Sequence, residues 1–212
     1  SFYRTNIHAV MKQPIILLAI FFLSTLAWHD GLLLAQPIQK AIQAQDFVRT
    51  KVLITKQKGL NSPDKEGATP LHYLIREVAT SRINDTLNTR NWVSLTKKLI
   101  DAGAKLGQPT KSGRTPLVEA MYIGEREIAE LLVQKGVEVP VFDFYLWMAA
   151  NIGSVQIANL LLQKGLDPNV PSAAGDATPL HAACMSGSTE IVELLLVKGA
   201  NVNVATNAGA IL

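Results

Sequence analysis

Three side chains that could take part in covalent or metal chemistry lie in or just after a recurring motif. His72 and His181 each end a Thr-Pro-Leu-His stretch, and Cys184 follows three residues after His181. A cysteine nucleophile needs a neighbouring base, and His181 is the only candidate partner for Cys184. The small apolar residues around this cysteine predict instead that its thiol is buried in a helix core.

The spacing of the other titratable residues does not favour an enzyme. The sequence contains no H-x-x-x-H, C-x-x-C or H-E-x-x-H pattern of metal ligands. It has neither a glycine-rich phosphate loop after a strand nor a G-x-S-x-G nucleophile turn. We therefore expect no catalytic residue, metal, cofactor or small-molecule substrate in this chain.

Aromatic residues are concentrated in one short stretch of the sequence. Phe142, Phe144, Tyr145 and Trp147 make up half of the aromatic residues after position 35. These rings either pack against adjacent helices, or Phe142, Phe144 and Trp147 line a notch as anchors for a partner. Large aromatic side chains often dominate the affinity of protein interfaces.

Two motifs recur along the chain and identify the helices that must position these side chains. In the first, a threonine that can cap a helix precedes a proline at the first helical position. In the second, an Ile-x-x-Leu-Leu stripe forms one face of a helix that ends at a glycine, which adopts the left-handed conformation readily. The starts are Thr69 and Pro70, Thr115 and Pro116, and Thr178 and Pro179, and the ends are Gly103, Gly136, Gly165 and Gly199. Each unit is therefore predicted to contain a capped helix, a tight turn, a second helix and a glycine stop.

The stretches Thr-Pro-Leu-His at 69–72 and 178–181 and Lys-Gly-Ala-Asn-Val-Asn at 198–203 resemble ankyrin repeats. The resemblance covers most of the chain after residue 36. It implies an all-α solenoid of stacked helix–turn–helix units with short β-hairpin loops. It also implies that His72 and His181 are hydrogen-bonded to their threonines and to neighbouring backbone, which is a structural role.

The repeats divide the chain into three parts. Residues 1–10 precede a methionine and look like upstream or non-native sequence, residues 11–35 form a predicted signal peptide, and residues 36–212 form the predicted ankyrin-repeat domain. Five units are expected at 36–63, 64–109, 110–138, 139–171 and 172–204. A sixth unit begins at residue 205 and is incomplete, so we expect that the natural chain continues past Leu212.

The N-terminal segment predicts export from the cytoplasm. Lys12 precedes an uncharged apolar run at residues 15–27, and small residues follow. The run is shorter than the roughly 20 residues that span a bilayer as a helix. We therefore predict a periplasmic or secreted protein, with an uncleaved membrane anchor as the alternative. Contact with a membrane is expected only through this segment.

Two units depart from the common spacing. Thr69 and Gly103 are separated by 34 residues, whereas the corresponding separation is 21 in units three and five. The 13 additional residues fall near 79–91 and predict either a surface loop or a helix extension. The connector before unit four is about four residues short, which predicts a truncated hairpin. Asp143 is predicted to cap the following helix in place of threonine.

Charge and resemblance together point to protein binding. Without residues 1–35 the chain has 18 basic and 16 acidic residues, which is too balanced for a nucleic-acid-binding surface. The ankyrin resemblance implies a concave surface of hairpins and inner helices that binds a partner protein. Its expected residues are Phe142, Phe144, Trp147, Lys111, Arg114, Asp64 and Glu66. The alternatives are an immunity-type inhibitor that occludes a toxic enzyme, and a regulatory part of a larger protein.

Overall fold

The computed structural model describes residues 38–84, 86–172 and 177–204. Within these residues the chain forms ten helices and no strand. In order they are α1 Ile38–Gln43, α2 Phe47–Thr55, α3 Pro70–Asn84, α4 Thr86–Asp101, α5 Pro116–Tyr122, α6 Arg126–Gln134, α7 Asp143–Asn151, α8 Val155–Gln163, α9 Pro179–Ser186 and α10 Thr189–Val197. The predicted signal peptide, the residues before it and the start of the sixth unit lie outside the described residues.

Consecutive helices pair into five units that stack in chain order. The odd-numbered inner helices α1, α3, α5, α7 and α9 pack against one another in sequence. Among the outer helices, α2 packs on α4, α6 on α8, and α8 on α10. The predicted all-α solenoid is confirmed. Within the described residues no connector forms a strand pair, and the connectors before units two, three and five are turns closed by a backbone hydrogen bond.

The stripe on the outer helices forms the centre of the stack. The isoleucine and the second leucine of each stripe are fully buried, whereas the first leucine is half-buried. Full burial of such a side chain stabilises a protein by about 1.5–3 kcal/mol, so the stripe fixes which face each outer helix turns inward. The fully buried residues are Ile128, Leu132, Ile157, Leu161, Ile191 and Leu195.

The helix ends have the backbone conformations that their residues favour. Thr115 Oγ1 accepts a hydrogen bond of 3.3 Å from the Val118 N–H, which caps α5. The four glycines that follow the outer helices of units two to five have positive φ, between 86° and 92°. They are Gly103, Gly136, Gly165 and Gly199.

The additional residues of unit two form a helix extension. Helices α3 and α4 have 15 and 16 residues, and only residue 85 separates them. No glycine or proline occurs between Leu71 and Ala102, so nothing in this stretch breaks a helix. Trp92 on α4 is fully buried with its ring centroid 4.2 Å from that of Phe47. This contact ties the extension to unit one.

Two details of the sequence interpretation are wrong. Asp143 is the first residue of α7 and not its cap; Phe142 holds the cap position and makes no side-chain capping bond. The short connector moves the helix start so that the Asp143 carboxylate lies in the first turn, where the helix dipole favours negative charge.

Cys184 is exposed and not buried. Its counterparts are Ile75 and Met121, six residues after the capping threonines, and Ala150, six residues after Phe144, which aligns with those threonines. All three are buried, and each of their helices packs on the next inner helix. In the described residues no helix covers α9 on that side, so the thiol faces solvent.

Candidate functional site

One face of the inner helices carries side chains that are open to solvent at least in part. Positions are counted from the capping threonine in units two, three and five, and in unit four from Phe144, which aligns with those threonines. At 100° per residue, the fourth and seventh positions lie opposite the second and fifth, which are buried in units two to five. The fourth position is partly buried at Tyr73 and buried at Glu119, Met148 and Ala182. We call these fourth and seventh positions, together with the connector residue or residues before each inner helix, the inner surface. The seventh position is occupied by Arg76, Tyr122, Asn151 and Met185 in turn.

A buried carboxylate links two arginines on this surface. Glu119, at the fourth position of unit three, is 3% exposed. Its Oε1 accepts a hydrogen bond of 2.6 Å from Arg76 Nε. Its Oε2 lies 3.7 Å from Nη1 of Arg114. This distance allows an ion pair but is too long for a hydrogen bond. The hydrogen bond to Glu119 raises the pKa of Arg76 despite its partial desolvation.

A second carboxylate is held by the connector of unit two. Asp64 Oδ2 accepts a hydrogen bond of 2.7 Å from the Tyr73 hydroxyl, and its Oδ1 accepts the N–H groups of Glu66 and Ala68 at 2.8 Å each. Burial by itself raises the pKa of Asp64, but these hydrogen bonds outweigh it and the pKa lies below its ordinary value. Asp64 is therefore a fixed part of the connector turn.

Aromatic rings flank the two arginines. The Arg114 guanidinium carbon lies 4.7 Å from the centre of the Tyr122 ring, and that of Arg76 lies 6.0 Å from the Tyr73 ring. Contacts in this range are attractive because the face of an aromatic ring is electronegative. Tyr122 is nevertheless 60% exposed, so most of its ring is open to solvent.

The connectors of units two and three stack on each other. The Lys111 N–H donates a hydrogen bond of 2.8 Å to the carbonyl of Glu66. Gly67 has a φ of +83°, and a Cβ there would meet Thr110 Cα and Lys111 N at 3.2 Å. Glycine is therefore required on both grounds, conformation and close approach. The structure thus brings together four of the predicted surface residues, Asp64, Glu66, Lys111 and Arg114.

The next connector does not continue this stack. Gly113 corresponds to Gly67 and also has a positive φ, of +80°, but a Cβ at Gly113 would meet no atom within 4 Å. Residues 136–142, which precede α7, contain no backbone pair of the kind that closes the two preceding connectors. Because the connector before unit four (the fourth connector, residues 136–142) is short, it leaves the turn at residues 110–113, the tip of unit three, uncovered.

The aromatic stretch separates into one exposed ring and three partly buried rings. Phe142 is 65% exposed and meets Tyr145 edge-on at 5.7 Å between ring centres. Phe144 and Trp147 stack in parallel at 5.7 Å and pack against the core. Of the three predicted anchors, only Phe142 is largely open to solvent, whereas Phe144 and Trp147 pack.

The two histidines are bound to their capping threonines. Nδ1 of His72 lies 3.0 Å from Thr69 Oγ1 and accepts the Thr69 N–H at 3.1 Å, and Nε2 lies 3.1 Å from the Arg114 carbonyl. His181 has the same arrangement with Thr178, at 2.9 and 3.2 Å. Burial lowers the pKa of His72, which favours its neutral form.

Sequence reasoning missed the inner-helix residues of this surface, which are Tyr73, Arg76, Glu119, Tyr122 and Met185. The signal that could have found Arg76, Tyr122 and Met185 is the seventh position, which lies opposite the buried second and fifth positions. The fourth position gives no such signal, because Met148 and Ala182 there belong to the core. The chemical types of the missed residues vary between units, so comparison of the repeats with one another does not reveal them.

The described residues contain no group of three or more His, Cys, Asp or Glu side chains that could hold a metal ion. None of the helices in residues 38–84, 86–172 and 177–204 has the length and apolarity needed to span a bilayer.

Residues 143–206 match the family model for ankyrin repeats (3 copies). This match supports an ankyrin repeat protein, and the helical solenoid extends the same architecture back to Ile38. No curated protein matches the chain. Ankyrin repeats are generally protein–protein interaction modules and are typically not enzymes.

Proposed function

We propose that this protein binds a partner protein through its inner surface and carries out no chemistry itself. The observation that carries the proposal is a large exposed apolar or aromatic side chain in each of units three, four and five. Tyr122 is 60% exposed, Phe142 is 65% exposed and Met185 is 78% exposed. All three belong to the inner surface.

The architecture behind these side chains supports recognition by a rigid surface. The inner helices are held by the buried core and by hydrogen bonds between units, such as that from His72 to Arg114. A surface that is ordered before binding loses little conformational entropy when a partner docks. Exposed aromatic and methionine side chains on such a surface are typical interface residues.

The outer helices also expose apolar side chains, and these provide controls. The position that corresponds to Val197 on α10 is glutamine in the two preceding units, Gln134 and Gln163. Val197 is 83% exposed and Val48 on α2 is 75% exposed. These two valines are apolar, exposed and on the outer helices, so they are matched controls.

The test begins with a photocrosslinking amino acid at position 122 or, as the control, at position 197, in cells that produce the protein. We expect a specific crosslinked protein from position 122 only. The affinity of that protein is then measured for the Tyr122→Ala, Phe142→Ala, Met185→Ala and Val197→Ala variants. At least one inner-surface substitution should weaken binding by about tenfold or more, and Val197→Ala should not. Equal crosslinking from both positions, or equal affinity of all four variants, would contradict the proposal.

We further propose that binding takes place in the periplasm or outside the cell. Support comes from Lys12 and the apolar run at residues 15–27. In a fractionation experiment, the exported protein should lack this run when its N-terminus is determined by mass spectrometry. Retention of the run in a membrane fraction would favour an anchor, and an intact chain in the cytosol would contradict export.

A further inference from the structure

The inner surface has two chemically different halves. Units two and three carry Arg76 and Arg114, whose side chains are 41% and 44% exposed. Units four and five carry the apolar Phe142 and Met185. Tyr122 lies at the boundary, with its ring against the Arg114 guanidinium. A partner that covers both halves therefore meets positive charge on one side and apolar surface on the other.

The two arginines share one buried carboxylate. Both guanidinium groups lie within 4 Å of Glu119, so two positive charges face one negative charge. Asp64 is a second negative charge nearby, but its oxygens accept the Tyr73 hydroxyl and two backbone N–H groups, and none of these hydrogen bonds comes from an arginine. Among the described residues, only Glu119 is therefore in direct ion-pair contact with the two guanidinium groups, and each guanidinium can still approach a carboxylate of a partner.

The arginines also retain hydrogen-bond donors. Arg76 uses Nε for Glu119, and in the described residues no hydrogen bond involves its two terminal amino groups. Arg114 has an ion-pair contact and a ring contact but no side-chain hydrogen bond in the same residues. Guanidinium groups held in this way are suited to a carboxylate, which accepts two parallel N–H groups.

We infer that the partner segment presents an Asp or Glu carboxylate to Arg76 and Arg114 and places an apolar side chain beside Tyr122. This inference rests on the proposed function, because it specifies what the inner surface recognises. The buried Glu119 carboxylate orients both arginines. The rings of Tyr73 and Tyr122 limit the directions that the two guanidinium groups can take. Lys65 and Lys111, exposed on the adjacent connectors, add to the attraction for an acidic segment, while Glu66 opposes it.

The experiment uses a display library of random 12-residue peptides selected on the purified full chain. The expected result is a set of peptides that contain Asp or Glu next to an apolar residue. A synthetic peptide from this set should bind Arg114→Gln about tenfold more weakly than the wild type. Arg114→Lys should give an intermediate affinity, because it keeps the charge but loses the planar fork. The affinity of the wild type for the peptide should also fall as NaCl is raised from about 50 to about 300 mM.

Arg126→Gln is the matched control. Arg126 lies on the outer helix α6, is about half-exposed and is ion-paired with Glu130, and its substitution should leave peptide binding unchanged. Circular dichroism of each variant verifies that the fold is retained.

The outcomes separate this inference from the proposed function. Selected peptides that lack acidic residues, bind Arg114→Gln normally and lose affinity for Tyr122→Ala would overturn the inference and leave the proposed function standing. Peptides that bind Tyr122→Ala, Phe142→Ala and Arg114→Gln as tightly as the wild type, or a selection that enriches no peptide, would contradict both.

Discussion

Units two and five begin with the same Thr-Pro-Leu-His sequence but have different surroundings. In unit two, His72 Nε2 lies 3.1 Å from a carbonyl of the next unit, and Ile75 is fully buried. In unit five, His181 Nε2 has no hydrogen-bond partner in the described residues, and Cys184 is exposed. The comparison shows that a residue of a solenoid is buried only where a neighbouring unit covers it, whatever the sequence of its own unit.

The largest expected change in the free energy of unfolding comes from Ile75, the buried residue of this comparison. Ile75→Ala should lower the free energy of unfolding by about 2–5 kcal/mol, because it leaves a cavity under the next inner helix. Cys184→Ala, at the same position of unit five, should change it by less than about 0.5 kcal/mol. Urea unfolding followed by circular dichroism measures both. Similar losses for the two variants would show that Cys184 is covered in solution.

The connector glycines give a smaller contrast. Gly67→Ala should destabilise the protein by about 1–3 kcal/mol, because alanine is strained at positive φ and its Cβ would press on the neighbouring connector. Gly113→Ala has the same strain in φ but open space around it, so it should cost about 1 kcal/mol. Equal losses in thermal melts of the two variants would indicate that the tip of unit three is covered.

The histidines give a contrast that depends on pH. His72→Gln should cost about 1 kcal/mol more than His181→Gln at neutral pH, because it loses a hydrogen bond between units. Burial lowers the pKa of His72 from 6.5, so the unfolded chain takes up a proton there before the folded chain does. Stability contributed by His72 is therefore full above pH 6.5 and is lost as the pH falls through its folded pKa.

Unfolding curves between about pH 8 and about pH 5 test this expectation. The fall in stability on acidification should be less steep for His72→Gln than for the wild type. An unchanged slope would show that His72 is not the group that titrates.

The smallest effect in free energy concerns the thiol. Cys184 should react with a maleimide in the native protein about as fast as in the unfolded protein. A cysteine placed at the buried counterpart, Met121→Cys in a Cys184→Ala background, should be protected by at least about a hundredfold, because reaction requires opening of the stack. Rates are read by mass spectrometry, and fast labelling of both sites would contradict the buried position of Met121.

Most of the fold could be predicted because its signals are local. The Thr-Pro starts, the Ile-x-x-Leu-Leu stripes and the closing glycines each fix a helix end or a helix face within a few residues. For the extension of unit two, the polar composition alone is compatible with a loop or a helix. The absence of glycine and proline between Leu71 and Ala102 favours the helix, and the burial of Trp92 against Phe47 stabilises it.

The errors arose where contacts between units decide the outcome. Cys184 has a core-like sequence environment, and only the missing neighbour makes it exposed. Asp143 has the chemistry of a cap, but the length of the preceding connector sets where α7 begins. On the inner surface, Arg76 and Glu119 are 43 residues apart in sequence and meet only through stacking.

The short fourth connector also has a consequence for how the array opens. Units two and three are joined at their tips by the hydrogen bond from Lys111 to Glu66, whereas no backbone hydrogen bond joins the tip of unit three to unit four in the described residues. The inner helices α5 and α7 of units three and four also pack less extensively on each other than the other neighbouring inner helices do. In a linear array, unfolding divides most readily at the weakest junction. Amide hydrogen exchange should therefore report two cooperative blocks, units one to three and units four to five, with the aromatic stretch as the first segment of the second block.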